Sequence, residues 1–271
     1  MATLLERNIA SIDKRLVLLA PPHAPVASLF PTSFCVDPAR HDELVDQMQR
    51  LRGQVYLDDG ALRPEHLTPD GRHRTREDER SWHLLMLDQK RRVTSCIWYL
   101  EHEAPASIHE LRVRDCPLTA SSDGRLRDAV HAELARAKVE QVHYSEVGGW
   151  AVAKNSRCTS EGLILILATF GLSRILGGAL GVATATARHS SAAILQRLGL
   201  SRFEVRGHAV KPYYDPHYDC EMEVLRFDTR RASPRYHDLV ERMKPGLRNV
   251  SVIGRSIQPI LEVATAAEVA A

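Results

Sequence analysis

A lone carboxylate in an apolar strand is a natural place to look for proton-transfer chemistry, and Glu146 in the run HYSEVGGWAV is such a residue. Its competing role is structural: an ion pair, or hydrogen bonds to loop backbone. His143 stands three positions earlier, on the opposite face of a regular strand, and is the second candidate base. Beyond the strand, the polar stretch KNSRCTSEG at 154–162 leads into a long apolar run. A polar loop that opens a helix presents free backbone N–H groups and the positive end of a helix dipole, a seat for pyrophosphate. Val152, Lys154, Arg157, Thr159, Ser160 and Gly162 are the expected contacts there. Arg188 and His189, at the start of a later helix, would add charged donors. An ordinary capped core helix flanked by solvated basic residues would look the same.

Other candidates are weaker. Tyr213, Tyr214 and Tyr218, with Asp215 and Asp219, form a polar-aromatic stretch that could hold an ammonium group or could be a turn with packed tyrosines. His217, Asp219, Cys220 and Glu221 crowd together too closely for alternating strand positions to converge, so no metal site is expected. Cys158 sits near a helix start but lacks a positioned base, and the five cysteines include no C-x-x-C pair. That dispersed, odd set points to a reducing compartment, the cytoplasm. The first 22 residues have charges breaking their apolar positions, unlike a signal peptide.

Several elements must position these residues. A stripe at Leu44, Val45, Met48 and Leu51 predicts a helix over 37–52 capped by Asp37, which carries Arg52 and leads to Tyr56. The polar stretch 63–80 reads as an exposed loop. Strands are expected over 82–87 and 93–100, where Trp82 and Trp98 could line an acyl tunnel or simply be core. A helix over 126–138, a strand over 142–153 bearing Trp150, a helix over 159–176 and a strand over 181–186 follow. A short helix at 190–198, strands near 203–205 and 221–227, and a helix near 238–243 complete the order, with a frayed tail after Ser256. The apolar stretch Gly162–Ala187 is interrupted by Arg174 and by Gly177-Gly178, so a buried helix feeding a central strand explains it better than a membrane span. This is an α/β (α+β) pattern with a mixed sheet, not regular Rossmann alternation. The boundaries fall as an extension over 1–30, a catalytic domain over 31–230 and a C-terminal helix and tail over 231–271. The 36 basic residues against 34 acidic give a net charge of +2, which offers no nucleic-acid-binding excess.

Strand, basic-plus-glycine loop, helix, strand, and short helix ending in Arg197-Leu198-Gly199-Leu200 together resemble the GNAT acyltransferase superfamily. The family's glycine-rich loop is loosely met, with Arg157 and Gly162 present and the middle glycine absent. EVGGWAV at 146–152 is similar to the E-x-S-R-F-A-V strand of the acyl-homoserine-lactone synthases, and Arg52-x-x-Val55-Tyr56 to their R-x-x-V-F. The strand's arginine falls on Gly149, and Ile97 or Trp98 stands where a second is expected. Lactone synthesis is therefore not expected. The wider pattern, with PYYDPHYDCEMEVLRF at 212–227, more closely resembles the long-chain N-acyl amino acid synthases. The resemblance spans roughly 35–230.

That resemblance implies a GNAT-like mixed sheet flanked by helices. It also implies an acyl thioester of coenzyme A or of acyl-carrier-protein phosphopantetheine as donor substrate, and a small amine or amino acid as acceptor. Glu146, with His143 behind it, would be the base. Arg52, Tyr56, Trp82, Trp98, Trp150, Tyr213 and Tyr214 would face the substrates. The tyrosine acid usual before the L-G-F turn is replaced by Ala192-Ala193-Ile194-Leu195, leaving solvent to protonate the thiolate. A catalytically silent thioester- or partner-binding module and a short-chain acetyltransferase are the competing readings.

Overall fold

The computed structural model describes residues 4–256 apart from 23, 25, 122 and 123. The described chain begins with α1 (Leu4–Ala10), β1 (Leu16–Leu19), α2 (Val26–Leu29), β2 (Phe34–Val36) and α3 (Pro38–Asp58). Next come β3 (Trp82–Leu87), β4 (Val93–His102), α4 (Arg125–Glu140), β5 (His143–Val152), α5 (Glu161–Ile175), β6 (Ala179–Thr186) and α6 (Ser191–Leu198). Short strands β7 (Ser201–Arg202), β8 (Glu204–Val205), β9 (His208–Ala209) and β10 (Tyr213–Asp215) precede β11 (Cys220–Asp228), α7 (Pro234–Leu247) and β12 (Ser251–Gly254).

The central sheet runs β10-β11-β6-β5-β4-β3-β1-β12-β2, with β7 also against β11. It is mixed, as expected: β5/β6, β1/β12 and β12/β2 are parallel, and the other pairs are antiparallel. Both faces are covered, so the strands sort their side chains by alternation. Leu16, Leu18, Leu84 and Met86 enter one core with α1, α5, α6 and α7, while Val17, Leu19, Leu85 and Leu87 enter a second under α3. A third core joins α4 to the far end of the sheet through Val130, Leu180, Val182 and Val224. Burial on both faces is why LVLL carries no polar residue and WHLLML only His83.

The apolar stretch Gly162–Ala187 is α5, buried between the sheet and α7, followed by β6. Arg174 near the end of α5 pairs with Glu241 of α7, and Gly177 and Gly178 take positive φ to stop the helix. Among the described residues no helix is long and apolar enough to cross a membrane.

Three features differ from the sequence expectation. The stretch set apart as residues 1–30 contributes the interior strand β1 to the sheet, and the C-terminal stretch contributes β12 besides its expected helix, α7. These strands are only four residues each, too short for periodicity to mark. The polar stretch 63–80 is not simply exposed: His73, Glu77 and Asp78 are buried. The cause is Arg52, whose place on the inward face of α3 leaves a guanidinium in the core that must be paired. Tyr213 and Tyr214 lie on edge strand β10 rather than in a loop. The tail beyond Ser256 lies outside the described residues.

Candidate active site

β5 and β6 pair in parallel only from His143↔Ala179 to Val147↔Ala183, and then separate. β6 continues to Thr186 with β11 as its other neighbour, and β5 continues to Val152 against β4. The fork opens a cavity of about 560 Å³ whose wall takes in residues of both strands, α3, the 156–163 loop and the start of α6. Because it passes between strands, it touches all three cores. One end is apolar, with Ile97, Val147, Leu163, Ala183, Ala185, Ile194 and Leu195. The other is polar, with Arg52, Tyr56, His73, Thr75, Arg112, Glu146 and Tyr218.

The Gly148-Gly149 pair explains the local shape of β5. The register against β4 shifts between Cys96 and Trp98, where an extra β5 residue makes a bulge, and Gly149 has φ +63°. Trp98 lies against both glycines: a Cβ on Gly148 would come within 2.4 Å of its ring, and one on Gly149 within 2.3 Å. A Cβ on Gly149 would also come within 3.0 Å of Arg52 Nη1. The two departures from the lactone-synthase pattern are therefore one feature. The indole fills the space above Gly149, and no side chain fits there.

Glu146 is 4% exposed and lines the polar end. Its Oε2 lies 3.0 Å from His102 Nε2 and accepts the Arg112 N–H at 2.8 Å, and Oε1 accepts the Val113 N–H at 3.2 Å. A carboxylate has about four acceptor positions, so Oε1 keeps one. Both of Glu146's anticipated roles are thus present in its surroundings, a clamp on the 112–115 turn and an acceptor facing a cavity. His143 is exposed at the start of β5 and is absent from the cavity wall. The structure does not bring it to the site, since it stands at the far end of the strand from the fork.

α3 sends a stripe of side chains toward the cavity at Arg52, Val55, Tyr56 and, at its C-cap, Asp59. Arg52 is fully buried. Its guanidinium holds Asp78 through Nη1 at 2.9 Å and Nη2 at 2.7 Å, and donates from Nε to His73 Nδ1 at 3.1 Å. Burial alone would raise the Asp78 carboxyl, but Arg52 outweighs it and holds it down at about 2. Burial, with Arg52 adding to it, drives His73 down to about 3, so the ring is neutral. Arg52 is thus chiefly the pillar of the 63–80 segment. Burial pushes the Tyr56 phenol well up, and its hydroxyl reaches the Trp150 carbonyl at 3.4 Å.

The 154–162 loop opens α5 as expected, and its polar groups are partly committed within the protein. Val152, Arg157, Thr159, Gly162 and Arg188 line the cavity, whereas Lys154 and Ser160 are absent from its wall. Lys154 is exposed, and the Ser160 hydroxyl accepts a bond from Asn8 at 2.8 Å. The His189 side chain lies outside the described groups. The α5 N-terminus carries its own buried carboxylate, Glu161, paired with Arg15 and accepting from Thr94 at 3.0 Å and Ser95 at 3.3 Å. Arg157 reaches Asp59 at 2.8 Å, and Arg188 bonds the carbonyls of Asp59 at 2.6 Å and Asp219 at 2.8 Å. Gly162 lies close against Trp150, whose ring a Cβ there would meet at 3.0 Å. The Trp150 indole N–H is buried without a hydrogen-bond partner among the described residues.

Of the other expected substrate contacts, Trp98 and Trp150 line the cavity. Trp82 does not: its ring packs on Phe30 in the core, 5.9 Å between centroids. Tyr213 is buried away from the cavity wall and Tyr214 is 57% exposed. Their neighbour Tyr218 is the tyrosine of that stretch that enters the site, accepting from Arg112 at 2.9 Å. Sequence reasoning missed Arg112, His73 and Asp59. The signal was a buried arginine one helical turn before Tyr56, which obliges a polar segment to fold back over it. Among the described residues no cluster could hold a metal ion.

No protein-family model matches the chain, and no curated protein matches it. Solved structures do. A CoA-dependent acyl-homoserine lactone synthase, BjaI, with SAM and isopentyl-CoA, matches with TM-score 0.53 and 16% identity over 90% of this chain and 95% of its own. A second CoA-dependent acyl-homoserine lactone synthase, MesI, matches with TM-score 0.52 and 13% identity over 85% and 95%. FeeM, an N-acyl amino acid synthase from uncultured soil microbes, matches at TM-score 0.46 and 12% identity over 72% and 88%. The first two show a GNAT-like fold for this chain, a mixed central sheet flanked by helices with the parallel-strand fork within it.

Proposed function

We propose that this GNAT-like chain is an N-acyltransferase, moving a fatty acyl group from acyl-CoA or acyl-carrier protein to a small amine such as an amino acid. The observation that carries the reading is the two-ended cavity at the β5/β6 fork, apolar on one side and presenting Glu146 on the other. Past Val147, the β5 edge toward β6 has no strand partner among the described residues. Its peptide groups are available to the amides of a pantetheine arm laid between the strands, as in strand addition. The unpartnered Trp150 N–H offers one more donor to that arm. The apolar end suits an alkyl chain, and the cavity volume lies within the usual range for small-ligand sites.

The chemistry then divides between the two ends. Glu146 Oε1 takes a proton from the acceptor's ammonium group, directly or through one water. The freed amine attacks the thioester carbon, the C–S bond breaks as the tetrahedral intermediate collapses, and the nitrogen loses a second proton. One proton goes from solvent to the departing thiolate, so one is released overall. Backbone N–H groups along the unpaired β5 edge are suited to the developing oxyanion. Arg157 and Arg188 would exchange Asp59 and Asp219 for the donor's phosphates. The five free cysteines suit a reducing, cytoplasmic setting.

A second reading has its own support. Glu146 already accepts three bonds, and both mouth arginines are occupied, which suits a thioester-binding module without turnover. Thiol release measured with acetyl-CoA, palmitoyl-CoA and palmitoyl-acyl-carrier protein, each with pooled amino acids, separates them. The enzyme reading expects release with a long-chain donor, dependent on added amine, and an N-acyl product by mass spectrometry. Donor binding without release from any donor would sink it, and a preference for acetyl-CoA would remove the fatty-acyl assignment.

A further inference from the structure

The polar end of the cavity is nearly balanced in charge. Arg52 is matched by Asp78 and Arg112 by Glu77, leaving Glu146 as the excess anion. Arg52 has little left to offer, because its guanidinium is held by Asp78 and His73. His73 is neutral and Tyr56 keeps its proton, as their burial dictates. Arg112 differs. It donates from Nη1 to Glu77 at 2.9 Å and from Nη2 to the Tyr218 hydroxyl at 2.9 Å. A guanidinium has five N–H donors, so among the described residues Nε and one hydrogen on each terminal nitrogen keep no protein acceptor. Its side chain is 31% exposed on a wall that faces the cavity. Two fixed partners also orient the fork, so a third acceptor meets a rigid donor plane.

Arg112 is tied to the base as well. Its own N–H bonds Glu146 Oε2 at 2.8 Å, so the 112–113 turn places a cation and the spare acceptor of Glu146 at one end of one cavity. That pairing matches a zwitterion: ammonium toward Glu146, carboxylate toward the guanidinium. We propose that Arg112 reads the acceptor by binding its free carboxylate, so that the acceptor is an unesterified amino acid and not a simple amine. The inference rests on the acyl-transfer reading and adds to it a substrate class and a specificity-determining residue. Tyr218 is a positioning residue, acting through the Nη2 bond.

The test compares free amino acids with their carboxamides, using palmitoyl-CoA as donor. The wild-type protein is expected to favour the free acids at least tenfold in kcat/KM. Arg112→Gln is expected to abolish that preference by raising KM for the acids far more than for the carboxamides. Tyr218→Phe should shift the same KM less, and Arg112→Lys should recover part of the preference. Calorimetric titration of the pooled acids and carboxamides into the protein with coenzyme A present reads the same difference without turnover. Equal binding and use of acids and carboxamides by the wild type overturns the proposal, as does an equal loss of both in Arg112→Gln. Absence of thiol release with carboxylate-dependent binding intact would remove only the acyl-transfer reading.

Discussion

Gly149 shows how closely one residue can depend on another across a strand pair. Its φ is +63° and a Cβ there would come within 2.3 Å of the Trp98 ring. Gly149→Ala is expected to cost about 2–4 kcal/mol, combining left-handed strain with overpacking. In a Trp98→Ala background the clash is gone and the added cost should fall to the backbone part, about 1–2 kcal/mol. Urea unfolding of the four proteins of this cycle measures both; additive costs would show that the indole does not set the bulge. The sequence exposed this site only in part. EVGGWAV stood out, and so did the missing arginine, but Trp98 as the occupant of its space depends on a pairing register no linear pattern contains. Glu146 was legible as an acid in an apolar strand, whereas its His102 and backbone partners come from elements far away in sequence.

Elements were read best where one length scale decided them. α5, β3 and β6 are long or strongly apolar, and their expected positions agree with the structure to within two residues. β1, β2 and β12 were invisible because three or four residues carry no period, and their identity as strands comes from pairing with one another. The segment 63–80 departs from its expected exposure for a different reason. Its composition is that of a solvated loop, yet Arg52 draws His73 and Asp78 inside. This gives the fold a pH dependence whose sign follows from linkage. Burial lowers His73 to about 3 and His83 to about 4. A histidine with a depressed native pKa stays neutral when folded and is protonated when unfolded below about 6.5. Stability is therefore full above pH 6.5 and falls as pH drops toward 4, by up to about 1.4 kcal/mol per pH unit for each ring. Urea midpoints between pH 7.5 and 4.5 check this. A flat profile would mean that these rings are not held neutral. Asp78, held down at about 2, adds its loss only below pH 4.

On the scale of the whole molecule, three cores meet at one fork, and the chain's distant parts close it. Asp59 at the end of α3 faces Arg157 of the 154–162 loop and, through its carbonyl, Arg188 before α6. If those arginines serve the donor's phosphates, Asp59→Asn removes a competitor and tightens coenzyme A binding by about three- to tenfold at low salt. Calorimetry at two salt concentrations reads this, and weaker binding in the variant would show the arginines to be structural only. The general arrangement was legible from the order of elements and the strand-loop-helix pattern, because those are local. The polar end of the cavity was not, since Arg112, His73 and Glu146 are brought together from separate stretches of the chain.

The proposed acyl transfer at this fork depends on Glu146 receiving the acceptor's proton. Single-turnover transfer from palmitoyl-CoA to the preferred amino acid, compared between the native chain and Glu146→Gln, addresses it most directly. The rate is expected to fall by about 100-fold or more, with donor affinity unchanged and part of the loss recovered at higher pH, where the acceptor is already deprotonated. An unchanged rate in the variant, or no N-acyl product from the native chain, would contradict it.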